Sequence, residues 1–555
     1  TTLRQQLSSL GVTIDAQMPR FGILAVNLPT KVVEKLASNS QTRYLSLDRS
    51  VVASGHIENT TCEAKMWSQD GNSGFNASGV GIAIIDSGIS KMAGLDNIAL
   101  NQDFTGEGIT NDPFGHGTFV ASMASANKGS YGGTAPSAKL INFRVLNSQG
   151  TGTLSGVLAA LNAVLTNKAR YNIRVVNLSL GMPALDSYKN DPLCRAVRSL
   201  VNSGIVVVAA AGNDGKNAEN AKVYGRIHSP GNEPSAITVG AVNTYGTDVR
   251  SDDGITTYSS RGPTRSYWVD DASVKHYDNL IKPDLSAPGN KIIGYASPNN
   301  TLLTSNPDLS VPGKSNLMRL SGTSVASPIV AGAAAVLLEA NPSLTPNMVK
   351  MILMYTAQPL AGFNMLEQGA GELNIEGAVR LAKLVRTDLN SSTSVGTSLL
   401  TSSAPSPQST IADYTFRWAQ GLLLKSGWGT GSDLITKYQA IYGLGVLIGD
   451  GVLTGDGVLI SDTTMLSNGV LISDNILVSN GQTMADGTVL LPNGVLVADG
   501  VLLGDGVLVG DGVLQADGVL QSDGVLQSDG VLQSDGVLQA DGALQSDNTA
   551  CMALE

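Results

Sequence analysis

Residues 80–88 read VGIAIIDSG, an unbroken apolar run that ends in a carboxylate and a Ser-Gly turn. A largely β-branched run with no polar alternation predicts a parallel strand buried on both faces. That reading sets the fold class as α/β, a parallel sheet flanked by helices. Asp86 then stands at the carboxyl end of the strand, the edge where open α/β sheets gather ligands and catalytic groups. A carboxylate there can hold an imidazole in one tautomer and stabilise its protonated form. Taken alone, an aspartate after a strand is more often a turn or cap residue.

Two further stretches bear on Asp86. GHGTFVAS at 115–122 sets His116 between two glycines at the head of a small-residue helical run, so the imidazole is predicted at a helix start, facing a cleft. GTSVASPIVAG at 322–332 puts Ser324 at the head of a second such run. There the N-terminal N–H groups and the helix dipole stabilise an oxyanion. A histidine or serine that only caps its helix is the plainer reading of each motif by itself. Together they supply an aspartate, a histidine and a serine in one of the three chain orders known for nucleophilic triads.

On these motifs, residues 64–385 resemble the subtilases, the subtilisin-like serine peptidases. The resemblance implies a subtilisin-like sheet, a triad of Asp86, His116 and Ser324, and hydrolysis of peptide bonds through an acyl-enzyme. VVVAAAGNDG (206–215) is similar to the segment that carries the family's side-chain oxyanion donor, which assigns that role to Asn213 beside the Ser324 N–H. VLNSQGTGTLSG (145–156) and VVNLSLG (175–181) look like the two edges that bind substrate backbone. An extended peptide is then expected between Gly150, Thr151 and Gly152 on one side and Ser179, Leu180 and Gly181 on the other. YSSRGP (258–263) and KPDLSAPG (282–289) resemble family scaffold. The chain also departs from the pattern. The calcium-binding loop of many secreted members shrinks to ANKGSYGG (126–133), so their tight calcium site is not expected. Phe119 and Ile329 replace two non-catalytic histidines common in the family, and 290–319 is an insertion placed to shape or cover the cleft.

Residues 1–60 read as a small α+β unit: a short helix at LRQQLSSLG, a strand at GILAVNLP, an amphipathic helix at TKVVEKLASNS and a final strand at TRYLSLDRSVVAS. Val32, Val33 and Leu36 are predicted on the buried face of the second helix. The unit resembles a subtilase propeptide without its first strand. That implies an inhibitor and chaperone whose tail lies in the cleft and is cut between about Ser50 and Met66. After the peptidase-like stretch (61–386) come a Ser/Thr-rich linker (387–412) and a cap or docking segment (413–443). From 444 to 547 the chain repeats D-G-V-L-x-x with one slip near Pro492, and 548–555 closes it. A fixed six-residue period predicts a repeat architecture, best fitted by a β-solenoid of about three hexapeptides per coil, with a meander of short hairpins second. Val and Leu are neighbours and face opposite ways along a strand, so one row must meet a partner: the peptidase domain, a second copy in an oligomer or fibre, or another protein.

At 555 residues and a net charge of −11, with no Lys or Arg after Lys437, the chain is expected to have several domains and no affinity for nucleic acid. Few charges and abundant small residues fit a secreted, extracellular or cell-surface protein whose signal peptide is removed. The helix at 325–339 reads as too short to span a membrane. Among Cys62, Cys194 and Cys551 a Cys62–Cys194 disulfide is open, and no cofactor is called for. Calcium between stacked tail aspartates is a weaker reading than a solvated edge, since the repeat is not the nonapeptide calcium-binding one. Two functions follow: a secreted endopeptidase with a tail for attachment or self-assembly, or a fibre-forming protein whose peptidase is latent or only self-processing.

Overall fold

The computed structural model describes residues 7, 10–20, 22–39, 42–43, 45, 50–53, 75–127, 132–247, 250–269, 275–278, 280–389, 393, 398–411, 414–419 and the backbone of the strands within 444–551. The first expected helix beyond Leu7, the cleavage range beyond Ala53 and the docking segment beyond Ala419 lie outside these residues.

The N-terminal unit opens with a hairpin, β1 (Thr13–Met18) and β2 (Ile23–Asn27), paired antiparallel. The sequence reading placed no strand at TIDAQM, whose alternation is weak. One 3₁₀ turn and α1 (Val33–Ala37) follow. Val32 and Leu36 pack with Leu7 and Val12 in a small core, but Val33 is exposed. The 3₁₀ turn shifts the helical phase by one residue and rolls Val33 outward, which corrects the expected face. The segment Ser50–Ala53 forms β3.

The 80–86 run forms β4 (Gly81–Asp86) and is buried at every position. After it come β5 (Ile98–Asp103), α2 (His116–Ser125), β6 (Lys139–Arg144), β7 (Thr151–Thr153), α3 (Leu154–Tyr171), β8 (Ile173–Leu178) and β9 (Leu180–Pro183). Then follow α4 (Pro192–Asn202), β10 (Val206–Ala210), β11 (His228–Ser229), β12 (Ile237–Asn243) and β13 (Gly254–Ile255). Next are a hairpin of β14 (Tyr267–Val269) with β15 (Lys275–Tyr277), then β16 (Leu285–Pro288), β17 (Ile292–Tyr295) and α5 (Thr301–Ser305). The body ends with β18 (Ser310–Val311), β19 (Lys314–Leu320), α6 (Thr323–Ala340), α7 (Pro346–Thr356), α8 (Met365–Gln368) and α9 (Ile375–Ala382).

Among the described residues the main sheet has eight strands, ordered β13-β12-β10-β8-β4-β6-β5 with β16 also on β12. All pairs are parallel except β12 with β13. The chain winds from β4 to β5 and β6 on one side, then back to β8, β10 and β12 on the other. β4 is therefore the switch point, and Asp86 ends the strand where a cleft must open. Alternate residues of β4 serve two cores. Ile82 and Ile84 face α2 and α6, while Ala83 and Ile85 face α3 and α4. Met18 of β1 joins the second core, and Arg20 donates to Thr166 Oγ1 at 3.0 Å, so the N-terminal unit is docked on α3.

α6 is long and apolar enough, by length and composition alone, to cross a membrane, yet 89% of that window is buried inside the fold. It is therefore longer than the 325–339 run and serves as the core helix. The insertion 290–319 supplies β17, β18 and β19, an antiparallel sheet, and α5. Cys194 is a free, buried thiol donating to Asn232 Oδ1 at 3.1 Å, and Cys62 lies outside the described residues.

In the tail every pairing among the described strands is parallel. Val501 pairs with Val519, Val507 with Val525 and Val513 with Val531, each an offset of three hexapeptides. Earlier strands pair at two hexapeptides, Val446 with Val458 and Val458 with Val470. Across Pro492 the register gains one residue, Val470 on Val495.

Behind the sheet, Asp284 is buried between two lysines, with Lys282 Nζ at 2.7 Å and Lys350 Nζ at 2.9 Å. Lys350 also donates to the carbonyls of Pro234 and Ala236, tying α7 to the start of β12. Burial presses the Lys350 ammonium down from 10.5 to about 7, against the pull of Asp284. The unfolded chain then holds a proton that the folded chain has released between those values, so this group adds stability as pH rises from about 7 towards 10.5. Lys350→Met removes the buried charge and with it this rise. The variant's stability relative to wild type is expected to fall between pH 6.5 and 9.5, read from urea midpoints. A difference that stays flat with pH would refute the assignment.

Candidate active site

Asp86 ends β4 with both turn and cleft in reach. Its Oδ1 accepts the Ser87 N–H at 2.7 Å and faces His116 Nδ1 at 2.8 Å. His116 is the first residue of α2, and both side chains are buried. The flanking glycines explain the approach. Gly115 has φ 105°, a left-handed conformation, and a Cβ there would meet Asn300 at 2.6 Å. At Gly117 a Cβ would lie 2.2 Å from the Gly88 carbonyl oxygen, so the first turn of α2 sits flush on the Ser87–Gly88 turn.

That contact is pinned by a residue the sequence reading passed over. Asp112 is fully buried and accepts Ser87 Oγ–H, Gly115 N–H and Thr118 N–H, each at 2.7 Å. Ser87 Oγ in turn accepts the Gly117 N–H at 2.8 Å. Burial pushes the Asp112 carboxyl above the ordinary aspartate range, and the bonds from Thr118, Gly115 and Ser87 restrain the rise. NDPFGHG carried the signal: a carboxylate just ahead of a helix start is a capping group. The insertion braces the same loop. Ser297 Oγ donates to Asp112 O at 2.6 Å, and the Thr301 N–H donates to Pro113 O at 2.8 Å. Thr301 Oγ1 reaches Ser148 O at 3.1 Å, so the insertion supports the cleft from behind His116.

Ser324 is the second residue of α6 and fully buried. At that position its N–H is one of those with no carbonyl partner inside the helix. Asn213 follows β10, and its Oδ1 accepts the Thr323 N–H at 2.9 Å and lies 3.2 Å from Thr323 Oγ1. Fixing the amide oxygen on Thr323 fixes the direction of Nδ2, which points the other way. Thr323 Oγ1 is also 3.1 Å from both N and O of Gly212, locking the turn to the helix. Ser260 and Arg261 of the YSSRGP stretch brace that turn through the Asp214 N–H and the Gly215 carbonyl.

The expected substrate edges stand on either side of one strand of the protein itself. β3 pairs antiparallel with β7 (Ser50 on Thr153, Val51 on Gly152, Val52 on Thr151). Its other side pairs antiparallel with β9 (Val52 on Gly181, Ala53 on Leu180). Gly150, just before β7, packs on the Phe114 ring. Ser179, just before β9, donates to the Ser324 carbonyl at 2.8 Å and meets Ser327 Oγ at 2.8 Å, linking the edge to the head of α6. A fully buried Arg144 donates to Ser87 O and to Asp103, joining the Asp86 turn to the loop behind β7. Glu107 continues that link: Ser148 Oγ donates to it at 2.7 Å, and this bond with Arg144 holds its carboxyl below the usual range.

Known proteins resemble this chain in sequence. The model of the subtilase family matches residues 77–379. Serine protease AprX of Bacillus subtilis (strain 168) is 34% identical over 368 residues, 63% of this chain and 77% of that protein. Subtilisin Savinase of Lederbergia lenta is 34% identical over 312 residues, 56% of this chain and 94% of its own length. Membrane-bound transcription factor site-1 protease of Rattus norvegicus is 31% identical over 312 residues, 56% of this chain but only 26% of that protein.

Asp112→Ala orphans the Gly115 and Thr118 N–H groups and the Ser87 hydroxyl. It is expected to cost about 2–4 kcal/mol, read as a shift in urea midpoint at constant slope. An unchanged midpoint would mean that the carboxylate does not hold this turn.

Proposed function

The chain belongs to the subtilase family and is a subtilisin-like serine endopeptidase, and we propose that Asp86, His116 and Ser324 form its catalytic triad. The observation that carries this is the buried 2.8 Å contact between His116 Nδ1 and Asp86 Oδ1. With Nδ1–H given to the carboxylate, Nε2 is the basic nitrogen. It takes the Ser324 Oγ proton as the oxygen attacks the scissile carbonyl carbon. The Ser324 N–H and Asn213 Nδ2 stabilise the oxyanion; losing the side-chain donor costs subtilisin about 10²–10³ in turnover. Protonated His116 gives its proton to the leaving amine, and water then hydrolyses the acyl-enzyme by the same steps.

The substrates are polypeptides taken as an extended strand between Gly150, Thr151 and Gly152 and Ser179, Leu180 and Gly181. The seat of β3 between β7 and β9 supports this, since a strand added there satisfies both edges. By the same token residues 1–60 act as an inhibitory propeptide, docked on α3, with the cut falling between about Ser50 and Met66. Residues 61–386 are the peptidase and 387–412 a linker to a docking segment (413–443). The tail at 444–547 is a β-solenoid, for which its parallel registers at multiples of six speak. Its small, acidic, repeat-rich composition fits a secreted or cell-surface role in attachment or self-assembly. The occupied edges also favour a second reading, a latent peptidase on a structural protein.

Fluorophosphonate labelling of wild type and Ser324→Ala, run beside intact mass, separates the two. The enzyme reading expects label on wild type alone, with a break between about Ser50 and Met66. No label on an intact chain supports latency, and no label after residues 1–60 are removed overturns the triad. For the tail, sedimentation of the full chain and of one ending at 443 should differ in association state. A full chain that stays monomeric across concentration sinks self-assembly.

A further inference from the structure

The chain stays packed on the peptidase body well beyond α9. Leu399 and Leu400 are buried in the core that α6, α7 and α9 share. Around them the Arg386 N–H donates to Leu399 O at 3.0 Å and the Thr401 N–H to Leu384 O at 2.8 Å. Next come β20 (Gln408–Ile411) and β21 (Tyr414–Arg417), an antiparallel pair. The Ala419 N–H then donates at 2.8 Å to the carbonyl of Ala357, just past α7. Two rings of this segment are driven into the body. Trp418 is buried on α9 where that helix has a glycine: a Cβ on Gly377 would lie 2.8 Å from the indole. Tyr355 meets the indole edge-on at 6.0 Å, and the Arg380 guanidinium lies 4.8 Å over it. Its Nε1–H donates to Ser409 Oγ at 2.8 Å, which also accepts Asn374 Nδ2–H at 2.9 Å and donates to Glu376 at 2.5 Å. Phe416, buried too, lies under the Arg250 guanidinium at 5.7 Å and shields the buried cluster of Arg250, Asp253 and Glu372.

We infer that this face of the body is a binding groove for the segment 398–419, and that the groove, not the covalent joint, holds the repeat tail on the body. The linker proposed above then narrows to 387–397. A buried tryptophan on a glycine floor, hydrogen-bonded through its one polar atom, is the kind of anchor that carries most of the energy of a binding surface. The Ser409 hydroxyl ties the indole to Asn374, at the start of α9, and to Glu376 within it, so ring and strand are held as one unit. A cut within 387–397 breaks one peptide bond and none of these contacts. What it removes is the high effective concentration of a tethered partner. Cleavage of the Ser/Thr-rich stretch therefore leaves a two-chain protein that still carries its tail. The inference does not depend on which residues form the triad.

The test uses the full chain carrying Ser324→Ala, with residues 390–396 replaced by the recognition sequence of an unrelated, sequence-specific protease. After cleavage the two fragments are followed by size-exclusion chromatography and mass. They should elute as one species at about 1 μM. With Trp418→Ala added, the protein concentration needed to keep them together should rise at least about tenfold, whereas Trp418→Phe should hold. Ser409→Ala leaves only a small void and should weaken the pair in the same direction, so it decides the matter if uncut Trp418→Ala fails to fold. Fragments of the parent chain that separate at about 1 μM overturn the inference. So does a parent that stays together equally well with Trp418→Ala and Ser409→Ala, since the repeat tail and not the groove would then be the contact.

Discussion

Everything at the cleft depends on one close approach: the first turn of α2 lying on the turn that ends β4. A carboxylate at the end of a wholly buried strand is costly unless it is bonded. Asp86 meets that demand with the Ser87 N–H and His116. Only a glycine at 117 lets the helix come near enough, and only a left-handed residue at 115 lets the chain enter the helix from that side. Asp112, itself buried, then bonds both the turn and the helix and converts proximity into fixed geometry. Catalytic precision here is a matter of backbone packing first and side-chain chemistry second.

Buried charge recurs around this frame. Asp284 sits between Lys282 and Lys350, and Arg250 faces Asp253 and Glu372, all in the interior. Burial, with Glu372 beside it, pushes the Asp253 carboxyl up to about 9. Such clusters are weak sources of net stability but strong constraints on which segments may meet. They join β12, β16 and α7, and fasten the 250–253 loop to the chain before α9. The sheet that carries Asp86 is thereby held by polar ties that tolerate little sliding.

The edges of β7 and β9 add a second constraint. Two strands with open sides flank a cleft, and an unpaired edge invites a strand. In this chain β3 fills it, pairing antiparallel with β7 on one side and β9 on the other. Beyond β9 the His228 ring occupies the space left by Gly181 and Gly212. The tail obeys related logic with identical units: a register that repeats every six residues lets strands pair at two or three hexapeptides, as both offsets in the tail attest.

The sequence by itself determined the elements whose signals are local. An apolar β-branched run at 80–86, small-residue runs after His116 and Ser324 and a six-residue period are written in neighbouring residues, because strand burial, close helix packing and repeat register act at short range. Val33 and the β1 strand were misread for the same reason, since a 3₁₀ turn and a weakly alternating hairpin leave faint local marks. Only the tertiary structure decided that Asp112 clamps the His116 turn, that Thr323 aims the Asn213 amide and that His228 lies across Gly181 and Gly212. Each of these joins residues far apart in the chain, and nothing in a residue's own neighbourhood says which distant atom will satisfy it.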